Sequence, residues 1–441
     1  MENKLVAIAL VSATWCVSGW AQTFDRGKID QFLDRLAEKN KGMGGVVLAK
    51  DGQVVYSHSF GYSLINGTER KPATAATKYR IASITKMYTA VMIFQLIEEG
   101  RLKPTDTLDT FFPVIPNATR ITINQILHHR SGIHDIEPDG SWGKQLRTRN
   151  EIVARIAQGQ PDFEPDAKHQ YSNAGYILLG YVVETVGGKA YPEAVKDRIA
   201  SKIGLKDTYA LTSGTADPGR NESLSYGYFG GWKEGAELDF SVTAGAGAIV
   251  STPSDMTTFI QALFDRTLVS QTSLTQMTTM RDDEGMGMER FSFAGKTLYG
   301  HTGGSSSSGA WLAYLPEERL AFAYATNAKI YPVKDIVSGI FDIYWNRPFQ
   351  IPSLDALQVS PDVLDRYVGV YTVPGTAVRV TISRDGATLY FQPASQSAVP
   401  LEATAENRFK IDPAVLFEFD AANGQMKVIR AGMERVFTKE K

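Results

Sequence analysis

Apolar residues recur at helical spacing at Ile29, Phe32, Leu33 and Leu36, and the pattern then switches to two strand-like runs, 46–50 and 53–56, around Asp51-Gly52. A helix followed by a β-hairpin is predicted. A longer apolar helix opens at Ser83-Ile84-Thr85-Lys86 and continues through Met87, Tyr88, Val91, Phe94 and Ile97, with Gly100 as the residue that ends it. Helical patterns also cover 176–186 and 256–264, the latter announced by Thr252-Pro253-Ser254-Asp255, a capping pattern with proline at the first helical position. Strand patterns return late, at 297–302, 310–315 and, after a Pro316-Glu317-Glu318 turn, 320–326. Early hairpin, many helices and late strands predict an α+β fold with one antiparallel sheet, in place of repeating βαβ units.

From about residue 346 the texture changes. Arg347-Pro348-Phe349-Gln350-Ile351-Pro352 reads as a linker, and short alternating segments follow, with Asp385-Gly386 and Asn423-Gly424 as turn signals. Val378, Val380 and Ile382 alternate with polar neighbours, as do Val415, Phe417 and Phe419, with Leu416 the exception. A small β domain is predicted. The expected division is an export signal at 1–21, a catalytic domain at 22–346, a linker at 347–360 and the β domain at 361–441.

The signal rests on Lys4, an apolar run over 5–17 broken only by Ser12 and Thr14, and Gly19-Trp20-Ala21 at the cleavage site. The run is short for a bilayer span, so a retained anchor is the weaker alternative. The single cysteine, Cys16, falls inside this segment, and its neighbours Thr14-Trp15 are too bulky for a lipoprotein site. A mature chain without thiols has no disulfides, no cysteine nucleophile and no thiolate metal site. A net charge of −2 over 441 residues provides no basic field for nucleic acid.

Three short motifs carry chemistry. Ser83 and Lys86 stand three apart, which puts them on one helix face, where the amine can take the hydroxyl proton and activate a weak nucleophile. The same spacing recurs at Ser141-Trp142-Gly143-Lys144, but Gly140 and Gly143 argue for a loop there. Tyr171-Ser172-Asn173 offers a tyrosine that can shuttle protons if nearby cations lower its pKa, and an amide that can donate to and accept from a substrate amide. Tyr344-Trp345-Asn346 is its decoy. His301-Thr302-Gly303-Gly304 ends a predicted strand, where glycines let a substrate lie against the backbone and a free N–H can serve an oxyanion.

Competing signatures fail. There is no Gly-x-Ser-x-Gly elbow, and Gly245 and Gly247 lack the third glycine of a dinucleotide fingerprint. His128, His129, His134 and Asp135 cluster without His-Glu-x-x-His or similar spacing, so they read as a structural loop and no metal or other cofactor is expected.

In this order and at these separations, the three motifs resemble those of the penicillin-recognising serine hydrolases: class C β-lactamases, DD-carboxypeptidases, D-aminopeptidases and related esterases. The resemblance covers roughly residues 25–345 and extends to Phe60-Gly61-Tyr62, to 126–133 and to Gly245-Ala246-Gly247-Ala248. It implies an antiparallel sheet flanked by helices plus a helical subdomain. Tyr367-Val368-Gly369-Val370-Tyr371 resembles the start of the lipocalin-like, barrel-like appendage of some members.

The resemblance also implies roles. Ser83 would be the acylated nucleophile, Lys86 and Tyr171 the acid/base pair, and Asn173 the residue holding the acyl-side amide. The N–H groups of Ser83 and Gly304 would form the oxyanion hole, with His301, Thr302 and Gly303 along the substrate. His301 departs from the lysine usual in the β-lactamase branch. An imidazole of ordinary pKa is largely neutral at pH 7, which weakens the pull on a substrate carboxylate. The implied function is an exported bacterial hydrolase, periplasmic or secreted, forming an acyl-enzyme on short peptides with D-residues, including D-alanyl-D-alanine termini. β-Lactams and small esters are the alternatives, and a penicillin or cell-wall sensor without turnover is the reading from another class. Oligomeric state and the role of the β domain are left open.

Overall fold

Asp25 accepts a hydrogen bond from the Lys28 amide and so starts α1 (Arg26–Glu38), whose buried stripe is Ile29, Phe32, Leu33 and Leu36. In this computed structural model the described residues are 23–136, 142–305, 307–355, 357–376, 378–394, 398–412, 415–430 and 433–440. The expected signal at 1–21 and the decoy serine Ser141 lie outside them.

After α1 come β1 (Gly42–Lys50) and β2 (Gln53–Phe60), joined through Asp51 and Gly52, both at positive φ. That is the backbone a tight hairpin turn requires, and it is why Asp-Gly stands there. The chain continues through α2 (Thr85–Glu98), α3 (Asn173–Gly187) and α4 (Pro253–Phe264) before returning to strands. These are β3 (Glu289–Phe293), β4 (Lys296–Gly304), β5 (Gly309–Leu315) and β6 (Leu320–Lys329), followed by α5 (Val333–Tyr344). The six strands form one sheet in the order β3-β4-β5-β6-β1-β2, antiparallel throughout, with Val46 of β1 opposite Tyr324 of β6. The late strands thus complete the sheet begun by the early hairpin. Edge strand β3 was not foreseen.

The alternation along β6 explains how the sheet sits between helices. Leu320, Phe322 and Tyr324 face α1 and α5, packing with Phe32, Leu36, Ile340 and Phe341. Ala321, Ala323 and Ala325 point the other way, into a core shared with α2 and α4. Small residues on that face let α4 lie close to the strands, while bulky residues fill the wider gap on the opposite one. Each fully buried Leu or Phe contributes about 1.5–3 kcal/mol, so both layers are substantial. The decoy Tyr344 belongs to the α1 and α5 side, across the sheet from Ser83.

The C-terminal segment forms a closed barrel of eight strands: β7 (Gly369–Thr372), β8 (Arg379–Asp385), β9 (Thr388–Pro393), β10 (Val399–Ala405), β11 (Arg408–Asp412), β12 (Val415–Asp420), β13 (Gln425–Arg430) and β14 (Met433–Lys439). Closure comes from Tyr371 of β7 pairing with Lys439 of β14. Its interior is packed with Tyr371, Ile382, Leu389, Phe409, Phe417 and Phe419, as expected of a barrel this narrow. Leu416 points outward, and Val378 stands before β8 and is exposed, so the inward-facing series starts at Val380, two residues later than predicted. Lys41 at the foot of β1 forms an ion pair with Glu402 of β10, which ties the barrel to the catalytic unit.

Candidate active site

Ser83 does not lie in the α-helix proper. It occupies a 3-10 turn, Ala82–Ile84, that leads into α2, and the preceding Ala82 has φ 45°, a left-handed conformation costly for a residue with a Cβ. The sheet fixes this turn in place: a Cβ on Gly303 of β4 would come within 2.2 Å of the Ile81 carbonyl oxygen and 3.1 Å of the Ser83 nitrogen. Only glycine lets the strand end approach the Ser83 backbone this closely.

One turn into the helix, Lys86 is completely buried; residues 85–96 are buried without exception. Its Nζ lies 3.0 Å from Ser83 Oγ, 2.8 Å from Asn173 Oδ1 and 3.1 Å from the Ala246 carbonyl. The last contact depends on two glycines. A Cβ on Gly180 of α3 would meet the Gly245 Cα at 2.8 Å, so α3 and the 244–247 turn close on one another, and the carbonyl of Ala246 reaches Lys86. Burial lowers the Lys86 pKa from 10.5 to about 7, against the opposing pull of Asp135, Glu289 and Glu284.

Asn173 is the first residue of α3, which Ser172 caps by accepting from the Gly175 amide. Its Nδ2 donates to Asp135 Oδ2 at 3.0 Å, and Asp135 Oδ1 also accepts from the Ala174 amide at 2.8 Å. Asp135 therefore orients the amide so that Oδ1 faces Lys86. Apart from its place beside the histidine cluster, nothing in the chain's local pattern marks this role of Asp135.

Tyr171 interacts with Ser83, its ring centre lies 4.7 Å from Lys86 Nζ, and the ring stacks on His129 at 4.4 Å. Desolvation pushes its pKa up, outweighing the influence of Ser83, so at neutral pH it is a protonated phenol. The condition under which a lowered pKa would make it a shuttle is therefore not met, and it can act only as a proton donor until it is deprotonated. His129 is held neutral by burial, and its Nδ1 accepts from the Ser172 amide, fixing the ring under Tyr171. His128 is likewise neutral, its pKa lowered to about 4 by burial and by Arg281 and Arg130. Among the described residues no His, Cys, Asp and Glu side chains group in a way that could hold a metal.

His301 is 1% exposed; Nδ1 donates to the Thr302 carbonyl and lies 3.5 Å from Glu289 Oε1. Burial and the Lys86 charge lower its pKa, so the ring is neutral at pH 7 despite Glu289. Thr302 donates its amide (3.1 Å) and hydroxyl (3.1 Å) to the same carboxylate. Ser83, Asn173 and Gly304 line one cavity, whereas His301 and Thr302 are not among its lining residues and are engaged by Glu289. The decoy Lys144 is exposed in a 3-10 turn.

A buried amine of lowered pKa against a serine hydroxyl, set between an antiparallel sheet and a helical layer, defines a serine hydrolase of the β-lactamase and DD-peptidase type. The chain belongs to the Beta-lactamase family, whose model matches residues 29–337. It is 26% identical over 417 residues to Penicillin-binding protein 4* of Bacillus subtilis, covering 87% of this chain and 91% of that one. It is 24% identical to the D-alanyl-D-alanine-carboxypeptidase/endopeptidase AmpH of Escherichia coli, over 74% and 91% of the two chains. Among solved structures, D-amino acid amidase from Ochrobactrum anthropi SV3 superposes with a TM-score of 0.65 at 25% identity, covering 73% of this chain and 98% of that one.

Proposed function

We propose that the protein hydrolyses amide bonds at D-residues of short peptides through an acyl-enzyme on Ser83. The observation that carries this reading is the set of partners around Lys86. Asn173 Oδ1 and the Ala246 carbonyl can only accept hydrogen bonds, so they claim the two N–H groups of a neutral amine. The lone pair then faces Ser83, the one partner with a proton to give. Lys86 takes that proton as Ser83 Oγ attacks the carbonyl carbon, and the oxyanion is held by the N–H groups of Ser83 and Gly304. Tyr171, a protonated phenol in contact with Ser83, supplies the proton to the leaving amine and is recharged from the Lys86 ammonium. Water repeats the sequence on the ester and frees Ser83.

The likeness to a D-amino acid amidase and a DD-carboxypeptidase supports the substrate class. A panel of D-amino-acid amides, their L counterparts, nitrocefin and short esters, with Ser83→Ala as control, tests it. Preference for the D-amides that vanishes in Ser83→Ala is expected. Turnover of nitrocefin or esters alone would replace the substrate class, and stable labelling by a fluorescent penicillin without turnover would favour a sensor. The reaction is proposed to occur outside the cytoplasm, on the strength of the segment at 1–21; the mass of the mature protein from its native host tests that cleavage. No helix among the described residues is long and apolar enough to cross a membrane.

A further inference from the structure

The cavity of about 190 Å³ that holds Ser83, Asn173 and Gly304 also takes in an ion pair, Arg80 with Glu237. Both side chains are about nine-tenths buried, at 10% and 9% exposed. Arg80 is anchored as a structural cation: Nη1 binds Glu237 Oε2, Nη2 donates to the Leu238 carbonyl at 2.8 Å, and the guanidinium lies 3.8 Å from the centre of the Phe240 ring. Glu237 is only half used. Its Oε1 is buried and has no hydrogen-bond partner among the described residues.

A buried carboxylate oxygen left without a protein donor is an uncommon arrangement, and it is resolved when a ligand brings the donor. The charge around it selects which donor. Arg80 feels three carboxylates, those of Glu237, Glu222 and Asp239, and Glu222 also stands 4.0 Å from Arg220. Around Arg80 two guanidinium groups stand against three carboxylates, while the Lys329 ammonium is spent on the Ser305 carbonyl at the other end of the wall, so at the free Glu237 oxygen a cation fits better than a neutral N–H. The rest of the cavity wall includes Ile136, Ile177 and Val242, which suit an amino-acid side chain.

We propose that Glu237 Oε1 receives the free α-ammonium of the residue that acylates Ser83, so that the substrates are D-amino-acid amides and peptides with an unblocked N-terminal D-residue. This rests on the amide-hydrolase reading above and sharpens it: a DD-carboxypeptidase acylates on a residue whose nitrogen is already in a peptide bond, and it would gain nothing from the free oxygen.

The test compares free-amine and N-acetyl forms of D-alanine p-nitroanilide and of the D-alanine methyl ester, with the L forms alongside, in wild type and Glu237→Gln. Glutamine keeps an acceptor for Arg80 and removes the charge. Each preparation is assayed on both members of a pair, so the kcat/KM ratio does not depend on how much of the variant folds. Wild type should prefer the free amine, and Glu237→Gln should lose about 10- to 100-fold of that preference, the range of a charge-assisted hydrogen bond. Glu237→Asp should retain part of it. A wild type that favours the N-acetyl form, or a Glu237→Gln variant with an unchanged ratio, overturns the proposal. The ester pair reads the amine preference even where anilides are not cleaved, and turnover of the L forms alone would sink the D-amide reading without touching the result for Glu237.

Discussion

Titration of Lys86 gives the sharpest test of the proposed mechanism. A lysine at its ordinary pKa of 10.5 is neutral in about one molecule in 3,000 at pH 7, whereas one at about 7 is half neutral, a gain of roughly 1,000-fold in competent base. kcat/KM for an uncharged ester should therefore rise about tenfold per pH unit below pH 7, pass half its maximum near pH 7 and flatten between about pH 7 and 8, where Glu284 begins to ionise. The same shift is written into stability. Between about pH 7 and pH 10.5 the unfolded chain holds a proton on Lys86 that the folded protein lacks, so stability rises with pH across that window. Burying this side chain costs about 4 kcal/mol at pH 7 and almost nothing above pH 10.5. Lys86→Met removes that slope along with the activity, although it also strands Asn173 Oδ1 and the Ala246 carbonyl, so the readout is the difference in pH dependence and not the absolute stability. Urea titrations from pH 6 to 10 on both proteins, with kcat/KM from pH 5.5 to 8.5 on wild type, check the two arms. A flat kcat/KM profile, or parallel stability curves for the two proteins, would falsify the assignment of Lys86 as the base.

Asp135→Asn removes the strongest of the carboxylates that hold the Lys86 pKa up, so the acid limb should move to lower pH, as a kcat/KM profile would show; an unmoved midpoint refutes the coupling. Gly303→Ala drives a Cβ into the Ile81 carbonyl and toward the Ser83 amide, and kcat should fall by about 10²–10³, the cost of a lost oxyanion donor; unchanged single-turnover acylation would count against that placement. Tyr171→Phe keeps the ring on His129 but removes the proton donor: amide hydrolysis should drop about 10²–10⁴-fold while acylation by a nitrophenyl ester, whose leaving group needs no proton, is largely spared. Equal losses on both substrates would assign Tyr171 another role.

What the sequence disclosed follows from range. The hairpin at Asp51-Gly52, the cap at Thr252-Pro253 and the end of α2 at Gly100 are decided by neighbours a few residues apart, and each is where the pattern put it. Strand β3 escaped because Glu289 and Arg290 begin it and its edge position leaves only a half-buried face. The partners of the Ser83-Lys86 pair escaped for a different reason. Asp135 reaches Asn173 across 38 positions from irregular backbone, and the Ala246 carbonyl reaches Lys86 across 160 from a four-residue helix too short to show a period. The direction of the Tyr171 shift was not legible because burial, which decides it, is a tertiary property.

The electrostatics of the cluster also change what the histidine at 301 signifies. Glu284 is pushed up to about 8 by burial and by Glu289, so near pH 7 it is protonated, and His129 and His301 are neutral. Asp135 and Glu289 are then the carboxylates whose charge reaches Lys86, together with whatever fraction of Glu284 is ionised. Above about pH 8 Glu284 loses its proton and pulls the Lys86 pKa upward, so the two titrations belong to one coupled system and the base is freest between them. A lysine in place of His301 would set a permanent cation near Glu289, draw Glu284 into its ionised form at lower pH and add a repulsive charge close to Lys86. In a site whose ring at 301 is 1% exposed, the choice of histidine over lysine therefore acts first on the proton inventory around the base, and any effect on a substrate carboxylate comes through that inventory.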